Sequence, residues 1–421
     1  MSAAAVSTAD EAAPLAEPER VAALDVLRGC ALLGIFIMNM PGFSHSLFSP
    51  PAPPSTILDA WLAALRDLLF AGKFNLLFGV VFGIGFAIQM ARLRDFEAVS
   101  AARLGVAPQS RRPTQIYLRR LAFLFVVGLG HAMLLWSGDV LLVYTLLGLA
   151  LLALRDVDDR VIALLIVACL LFPALAEVLR PVIFSPAIET VAAFQYQQLA
   201  ASNDLAFGRG TFLDAVRETG RVFAWSVSSP LGLYSYLAFC VQMATGILAG
   251  FVVGRRGWPG NVAAGGPAAS LLRVAFALAL VGNGMAAVGV DALAGTLGHD
   301  LALFTAVLAR TVGRAALAAF YALAVVRVVG AGAPPRWLRP FQQAGRMPLT
   351  NYLLQTLLAT FAFYGWGLGC WGRAGPAFET ALAIALFVVV QLPFSSAWLR
   401  RHRAGPVEAL WRAFTYGSRH P

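Results

Sequence analysis

The sequence predicts an all-α, polytopic membrane bundle of about ten transmembrane helices with both termini cytoplasmic. Three observations predict it. Of 421 residues, 59% are hydrophobic and only 13% charged, against about 25% charged in soluble domains. Apolar windows of about twenty residues recur, long enough to cross a bilayer. The arginines concentrate in every second loop, as the positive-inside rule requires. The formal charge of +10 therefore describes cytoplasmic loops rather than a face for nucleic acid.

Residues 1–20 are Ala-rich and acidic and lack the basic start of a cleaved signal; they read as a disordered cytoplasmic tail. The transmembrane domain occupies 21–400, with spans expected at 22–42, 73–91, 117–135, 138–154, 160–180, 231–253, 272–294, 301–328, 347–367 and 377–399. Residues 401–421 form a cytoplasmic C-terminal tail. The loop between the second and third spans carries Arg92, Arg94, Arg103, Arg111, Arg112, Arg119 and Arg120, which sets it inside. Two external segments are long. Residues 43–72 are Pro-rich and then amphipathic from Leu58 to Phe70, and 181–230 hold helices along the outer interface, either as a lid or as plain packing. The spacings Gly79-x3-Gly83, Gly246-x3-Gly250 and Gly250-x3-Gly254 suit close helix crossings. The four cysteines form no CxxC pair, and neither a disulfide framework nor a metal site is indicated.

Charge inside a span costs about 2.5–3.5 kcal/mol at mid-bilayer on insertion scales, so polar residues there mark candidate sites. Asn39, His45, Lys73, His131 and Asp139 are expected toward the outer face. Asp25, Arg28, Arg346, Thr350, Asn351 and Gln355 are expected toward the inner face. Arg28 stands one turn from Asp25 and either pairs with it or faces the interior to hold an anion. His131 ends one span and Asp139 begins the next, so a short turn can bring them together. The pair is either a general base with its orienting carboxylate or a packing histidine beside an N-cap. His45 lies just outside the first span. Lys73 is the single lysine among 32 basic residues, so either an ammonium is required there or it anchors a helix start. Arg310 and Arg314 share a helix face and need an anion or carboxylates, with Asp291 and Asp300 as expected partners. No phosphate-binding Gly loop, GxSxG or HExxH motif is present.

Five blocks, VAALDVLRGCALLGIFIMNM, KFNLLFGVVFGIGF, RRLAFLFVVGLGHAMLLWSGDVLLVYTLLGL, GRMPLTNYLLQT and GPVEALWR, resemble in order those of the YeiB family. This is a group of bacterial inner-membrane proteins largely of unknown function. The resemblance runs from Val21 to Arg412. The family is distantly similar to integral-membrane acyltransferases, including heparan-glucosaminide acetyltransferase and sugar O-acyltransferases, which open with a similar LD-x-x-RG segment. Arg28 matches their arginine. The O-acyltransferases carry a His about eleven residues on, where this chain has Asn39, while Asn39 followed by His45 matches the glucosaminide enzyme loosely.

The resemblance implies acyl transfer from a cytoplasmic donor, acyl-CoA, to a small-molecule, lipid or glycan acceptor at or across the membrane. No tightly bound cofactor is implied. Arg28 and Arg346 would contact the donor, His131 (or else His45) would act as base, Asp139 would orient His131, and Asn39 would meet the oxyanion. The alternatives are a permease for a small anionic metabolite lined by Arg28, Arg310 and Arg314, and a non-catalytic membrane scaffold in which these polar residues serve folding alone. The expected surroundings are the bilayer of the bacterial inner membrane; neither the acceptor nor an oligomeric state is specified by these residues.

Overall fold

The computed structural model describes residues 22–50, 54–104, 111–257, 268–330 and 333–417; the tail expected at 1–20 lies outside them. In chain order the helices are α1 Ala22–Ser44, α2 Ile57–Leu69, α3 Lys73–Leu104, α4 Arg111–Leu134, α5 Leu141–Leu154, α6 Asp159–Ile183, α7 Pro186–Gly208 and α8 Phe212–Ser228. They continue with α9 Pro230–Arg255, α10 Ala268–Val288, α11 Val290–Leu297, α12 His299–Val329, α13 Arg339–Gly345, α14 Pro348–Phe363, α15 Pro376–Leu399 and α16 Pro406–Tyr416. No strand occurs among the described residues.

Local chemistry starts these helices. Thr56 accepts a bond from Asp59 N at 3.0 Å to open α2, and Thr211 and Asp214 form a reciprocal capping box on α8. Proline occupies the first turn of α7, α9, α14, α15 and α16, where its missing N–H costs nothing. Helix α15 widens to π geometry over Leu386–Gln391.

Among the described residues eight stretches are long and apolar enough to cross a membrane: α1, the pair α2–α3 taken as 57–99, most of α4, and α6, α9, α10, α12 and α15. Two of the ten expected spans are shorter. Helix α5 has 14 residues and α14 has 16, about 21 and 24 Å at 1.5 Å per residue, against a hydrocarbon core of about 30 Å. Helix α14 is cut short at its inner end because the chain turns at Arg346–Met347 out of α13. The outward faces of α6 and α10 carry Leu164, Val167, Val182, Leu280 and Val281, all exposed, as a lipid-facing surface requires.

Helix α1 lies at the centre, packed by α3, α12, α13, α14 and α15. Glycine permits the closest approaches. A Cβ on Gly29 would collide with the Phe341 carbonyl of α13, and one on Gly345 would collide with the Asp25 carbonyl of α1. The Gly spacings noted in α3 and α9 do the same work: a Cβ on Gly83 would overlap the Ile247 carbonyl, and one on Gly250 the Val80 carbonyl.

The segment 181–230 forms α7 and α8, as expected. Gly220 of α8 faces the Met133 carbonyl near the end of α4, and Phe207 of α7 stacks on Tyr364 at 4.6 Å between centroids. The C-terminal residues expected as a tail include α16, which docks on the bundle. Glu408 Oε1 accepts from Leu349 N at 2.7 Å and Thr350 N at 3.0 Å, capping α14 from another helix.

Replacing Gly250 with Ala is expected to lower stability by about 3 kcal/mol, since the added methyl must push two backbones apart. Thermal unfolding in mild detergent checks this. The control is Gly284→Ala, where a Cβ meets nothing within 4 Å.

Candidate functional site

The α4–α5 turn is short, and its geometry brings His131 beside Asp139 as the spacing implied. Nδ1 of His131 lies 2.9 Å from Oδ1 of Asp139, with side-chain exposures of 0% and 1%. The ring N–H points off the line to that oxygen, so the contact is electrostatic rather than an aligned hydrogen bond. Asp139 also accepts through Oδ2 from Leu142 N at 2.8 Å, which caps α5. On the far side of the ring, Nε2 of His131 lies 2.9 Å from Oγ1 of Thr356 on α14. Tyr352, one turn earlier, sets its ring 4.9 Å from that of His131 and accepts from Val140 N at 3.4 Å. A carboxylate, an imidazole and a hydroxyl thus stand together on three elements. This is the arrangement in which a base, held by its carboxylate, draws a proton from a hydroxyl.

Thr356 was not among the residues singled out from the sequence. A signal existed: Thr350, Asn351, Gln355, Thr356 and Thr360 recur at helical spacing along α14, and all five are buried.

Trp136, inside the turn, joins this site to the outer end of α1. Its indole donates to the Gly42 carbonyl at 3.2 Å and its ring packs on Phe43 at 4.3 Å. Asn39 sits one turn before Phe43, half-buried, with no hydrogen bond from its amide to the described residues. His45 is not isolated. Its Nδ1 lies 2.7 Å from Ser44 Oγ and 3.4 Å from Glu379 Oε1, and Ser44 Oγ also donates to Glu379. Arg66 of α2 pairs with Glu379 Oε2 at 2.7 Å. Both ligands of His45 reach the same ring nitrogen, so this group ties α1, α2 and α15 together and lacks the two-sided geometry found around His131.

Toward the inner face, Arg28 pairs with Asp25 at 2.7 Å, and its Nη2 lies near Gly85 of α3. One turn along α3, Gln89 accepts from Arg120 Nη1 at 2.5 Å. The Arg120 guanidinium sits 4.3 Å over the Trp411 ring, whose indole donates to the Arg120 carbonyl at 3.0 Å. Arg28 and Arg412 both lie within electrostatic reach of Arg120, and Arg346 within that of Arg412. Burial, joined by the charge of Arg346, holds the Arg412 guanidinium below its usual range, against the opposing pull of Glu408 and Tyr416. Among the described residues, Arg28, Arg120, Arg346 and Arg412 thus share one zone with the carboxylates of Asp25 and Glu408. Along the inner part of α3 a cleft of 690 Å³ opens, lined by Phe86, Met90 and Phe251 and by Arg94, Arg155, Asp95 and Asp156, with Arg94 and Arg155 both paired to Asp156. Asn351 has a structural place: its amide donates to the Ala344 carbonyl at 3.1 Å and Ser395 Oγ at 2.9 Å.

Lys73 departs from expectation. It lies not at the outer surface but level with the middle of α1, because α2 carries the chain inward before α3 begins; Phe74 packs on Gly34. Its Nζ donates to the Asp67 carbonyl at 2.7 Å, and it is 1% exposed. Arg310 and Arg314 form no ion pair with Asp291 or Asp300. Among the described residues no group of three or more His, Cys, Asp or Glu side chains could hold a metal ion.

Residues 254–418 match the family described as a protein of unknown function, DUF418. The chain is 29% identical to the uncharacterized protein YxaH of Bacillus subtilis, over 97% of each chain. It is 28% identical to the uncharacterized protein YeiB of Escherichia coli, over 96% of this chain and 98% of that one. No solved structure shows a significant match.

Thr356→Val keeps the shape at position 356 but strands the His131 ring nitrogen in a dry site. A loss of about 1–3 kcal/mol is expected. Thermal unfolding in detergent measures it, and an unchanged midpoint would show that the ring nitrogen finds another partner.

Proposed function

We propose that this chain, a YeiB-type membrane protein along nearly its whole length, transfers an acyl group from a cytoplasmic acyl-CoA to a hydroxyl acceptor at or across the bacterial inner membrane. The observation that carries the reading is His131 held between Asp139 at 2.9 Å and a hydroxyl, Thr356 Oγ1, at 2.9 Å. The first-span motif Leu24-Asp25-x-x-Arg28-Gly29, similar to that of membrane acyltransferases, supports it. The acceptor hydroxyl would take the place against Nε2 that Thr356 fills. His131 would remove its proton as the oxygen attacks the thioester carbonyl. The carbon–sulfur bond then breaks, and the thiolate leaves with the proton returned by His131. Asp139 would stabilise the imidazolium between these steps. Asn39, whose amide is uncommitted, is the donor best suited to the oxyanion.

The donor's phosphates suit the inner arginines, Arg28, Arg120, Arg346 and Arg412. The cleft along α3 falls in the range of about 300–1,000 Å³ of ordinary small-molecule sites, and it combines apolar walls (Phe86, Met90, Phe251) with the ion-paired Arg94, Arg155 and Asp156. A permease for a small anion is the second reading, favoured by the buried Lys73 beside Arg314 in mid-bilayer. Uptake into proteoliposomes without covalent change to the solute would favour it.

The test is acyl-CoA binding followed by transfer. At about a hundred times its dissociation constant, acyl-CoA should stabilise the protein by about 2.7 kcal/mol, and Arg28→Ala should abolish the shift. His131→Gln should keep the shift and lose transfer by a factor of about 10² or more. Transfer undiminished in His131→Gln would overturn the assignment.

A further inference from the structure

We propose that the break between α2 and α3 is a phosphate-type anion site in the middle of the membrane, formed by Lys73, Arg314 and Arg310. It stands apart from the His131 site and holds for enzyme and permease alike.

The depth of the break is set by its neighbours. Helices α2 and α3 lie within one apolar stretch, Ile57–Val99, interrupted at residues 70–72, where Gly72 takes a φ of +74° that only glycine adopts freely. Phe74, just past the break, packs on Gly34, about 18 Å along α1 from its inner end. Just before the break, the Leu69 carbonyl accepts from Tyr321 Oη of α12 at 3.1 Å, and Phe74 stacks on Tyr321 at 5.4 Å. Irregular backbone at this depth is tolerated where protein or a polar cavity covers it.

The cations converge there. Lys73 is fully buried, and its Nζ spends one donor on the Asp67 carbonyl, leaving two. Arg314 lies along Gly72: a Cβ on that glycine would stand 3.2 Å from Arg314 Cδ and 3.5 Å from its Nε, with Gln242 Nε2 at 3.4 Å. Arg310, one turn along α12, is exposed. Lys73 and Arg314 lie within electrostatic reach of each other, and Arg310 and Asp67 within reach of both. Neither arginine forms a hydrogen bond or ion pair with a described residue. Three cations facing one carboxylate repel one another in a medium that screens poorly, and two positive charges stay uncompensated. A carboxylate ligand would neutralise one. A phosphate group supplies up to two charges and several acceptor oxygens to a set made of donors, two guanidinium forks and an ammonium. The first turn of α3 opens at Lys73 and adds its dipole to the same field. The buried Lys73 is the floor of the site, and the exposed Arg310 is its mouth, toward the bilayer.

That phosphate belongs either to a lipid headgroup or to a free ion, and the test has an arm for each. Full-length protein in detergent is examined by native mass spectrometry after exposure to phosphatidylglycerol, and by equilibrium binding of radiolabelled inorganic phosphate. Wild type is expected to retain one phosphatidylglycerol per chain, or to bind phosphate saturably. Arg310→Gln and Arg314→Gln should each weaken the positive arm by about tenfold. A retained lipid identifies the headgroup as occupant; saturable phosphate without retained lipid identifies the free ion. Arg310 is exposed, so its variant keeps the fold and decides the matter should Arg314→Gln misfold. Absence of both signals, or binding equal to wild type in folded Arg310→Gln, overturns the proposal. Neither result bears on acyl transfer through His131.

Discussion

The closeness with which other backbones approach α1 is the constraint on which the rest of the bundle depends. In hydrocarbon there is no hydrophobic gain from bringing two helices together, so contact must come from packing. Gly29 and Gly345 let α1 and α13 touch backbone to backbone, and Gly34 makes room for the Phe74 ring. A side chain at any of these points would separate the helices by a methyl group or more. The contact with α13 fixes where the chain turns at Arg346–Met347 and hence where α14 starts. The contact at Gly34 fixes the depth of the break before α3. Both polar centres, the one at His131 and the one at Lys73, are therefore registered against α1.

Helix α14 turns this registration into a buried polar face. From its inner end, Glu408 caps it at Leu349 and Thr350. Gln391 then donates to the Asn351 carbonyl at 2.9 Å and accepts from Gln355 Nε2 at 3.1 Å, while Gln355 also donates to the Leu32 carbonyl at 3.1 Å. The next residue, Thr356, meets His131. The π segment of α15 ends at Gln391, and such local widenings often sit where a helix must aim a side chain. Each polar group in this series has a partner, as a dry interior demands.

Most of the helical plan was legible in the sequence because hydrophobic length is a strong signal in a membrane. The break before Lys73 was legible too, but its depth was not. The amphipathic pattern from Leu58 to Phe70 fits a surface helix as well as a half-span tied through Arg66 to Glu379 of α15, and tertiary contact decides between them. The His131–Asp139 contact was legible, since few residues separate the two helices and the turn leaves little freedom. Thr356 lies more than two hundred positions away, so only packing could bring it to His131. Glu379 was invisible for the same reason: its partners, Ser44, His45 and Arg66, belong to α1, α2 and the segment between them. For Arg28, where pairing with Asp25 and anion binding stood open, the structure shows the pair, yet the charge is shared. Arg120, Arg346 and Arg412 stand in the same zone, with Glu408 a further carboxylate among the described residues.

The polar face of α14 spans the distance between the inner arginines and His131, and its chemistry bears on how the two ends cooperate. A conduit for solute would need side chains turned toward water. Here the amides of Asn351, Gln355 and Gln391 are turned toward one another and toward backbone carbonyls, with exposures of 0%, 2% and 0%. Their bonds would have to break for anything to pass, and each broken bond in a dry interior costs more than it would in water. Such a series suits rigid positioning rather than flow: it holds Thr356 and the imidazole at a set height above the inner arginines. His131 lies eleven residues beyond Arg120 on α4, about 16 Å. A donor anchored by its phosphates at the arginines would have to extend its reactive carbon over that distance to meet the imidazole, which a long flexible arm can do and a compact anion cannot. The buried amides thus make this face of the bundle a rigid support rather than an open conduit.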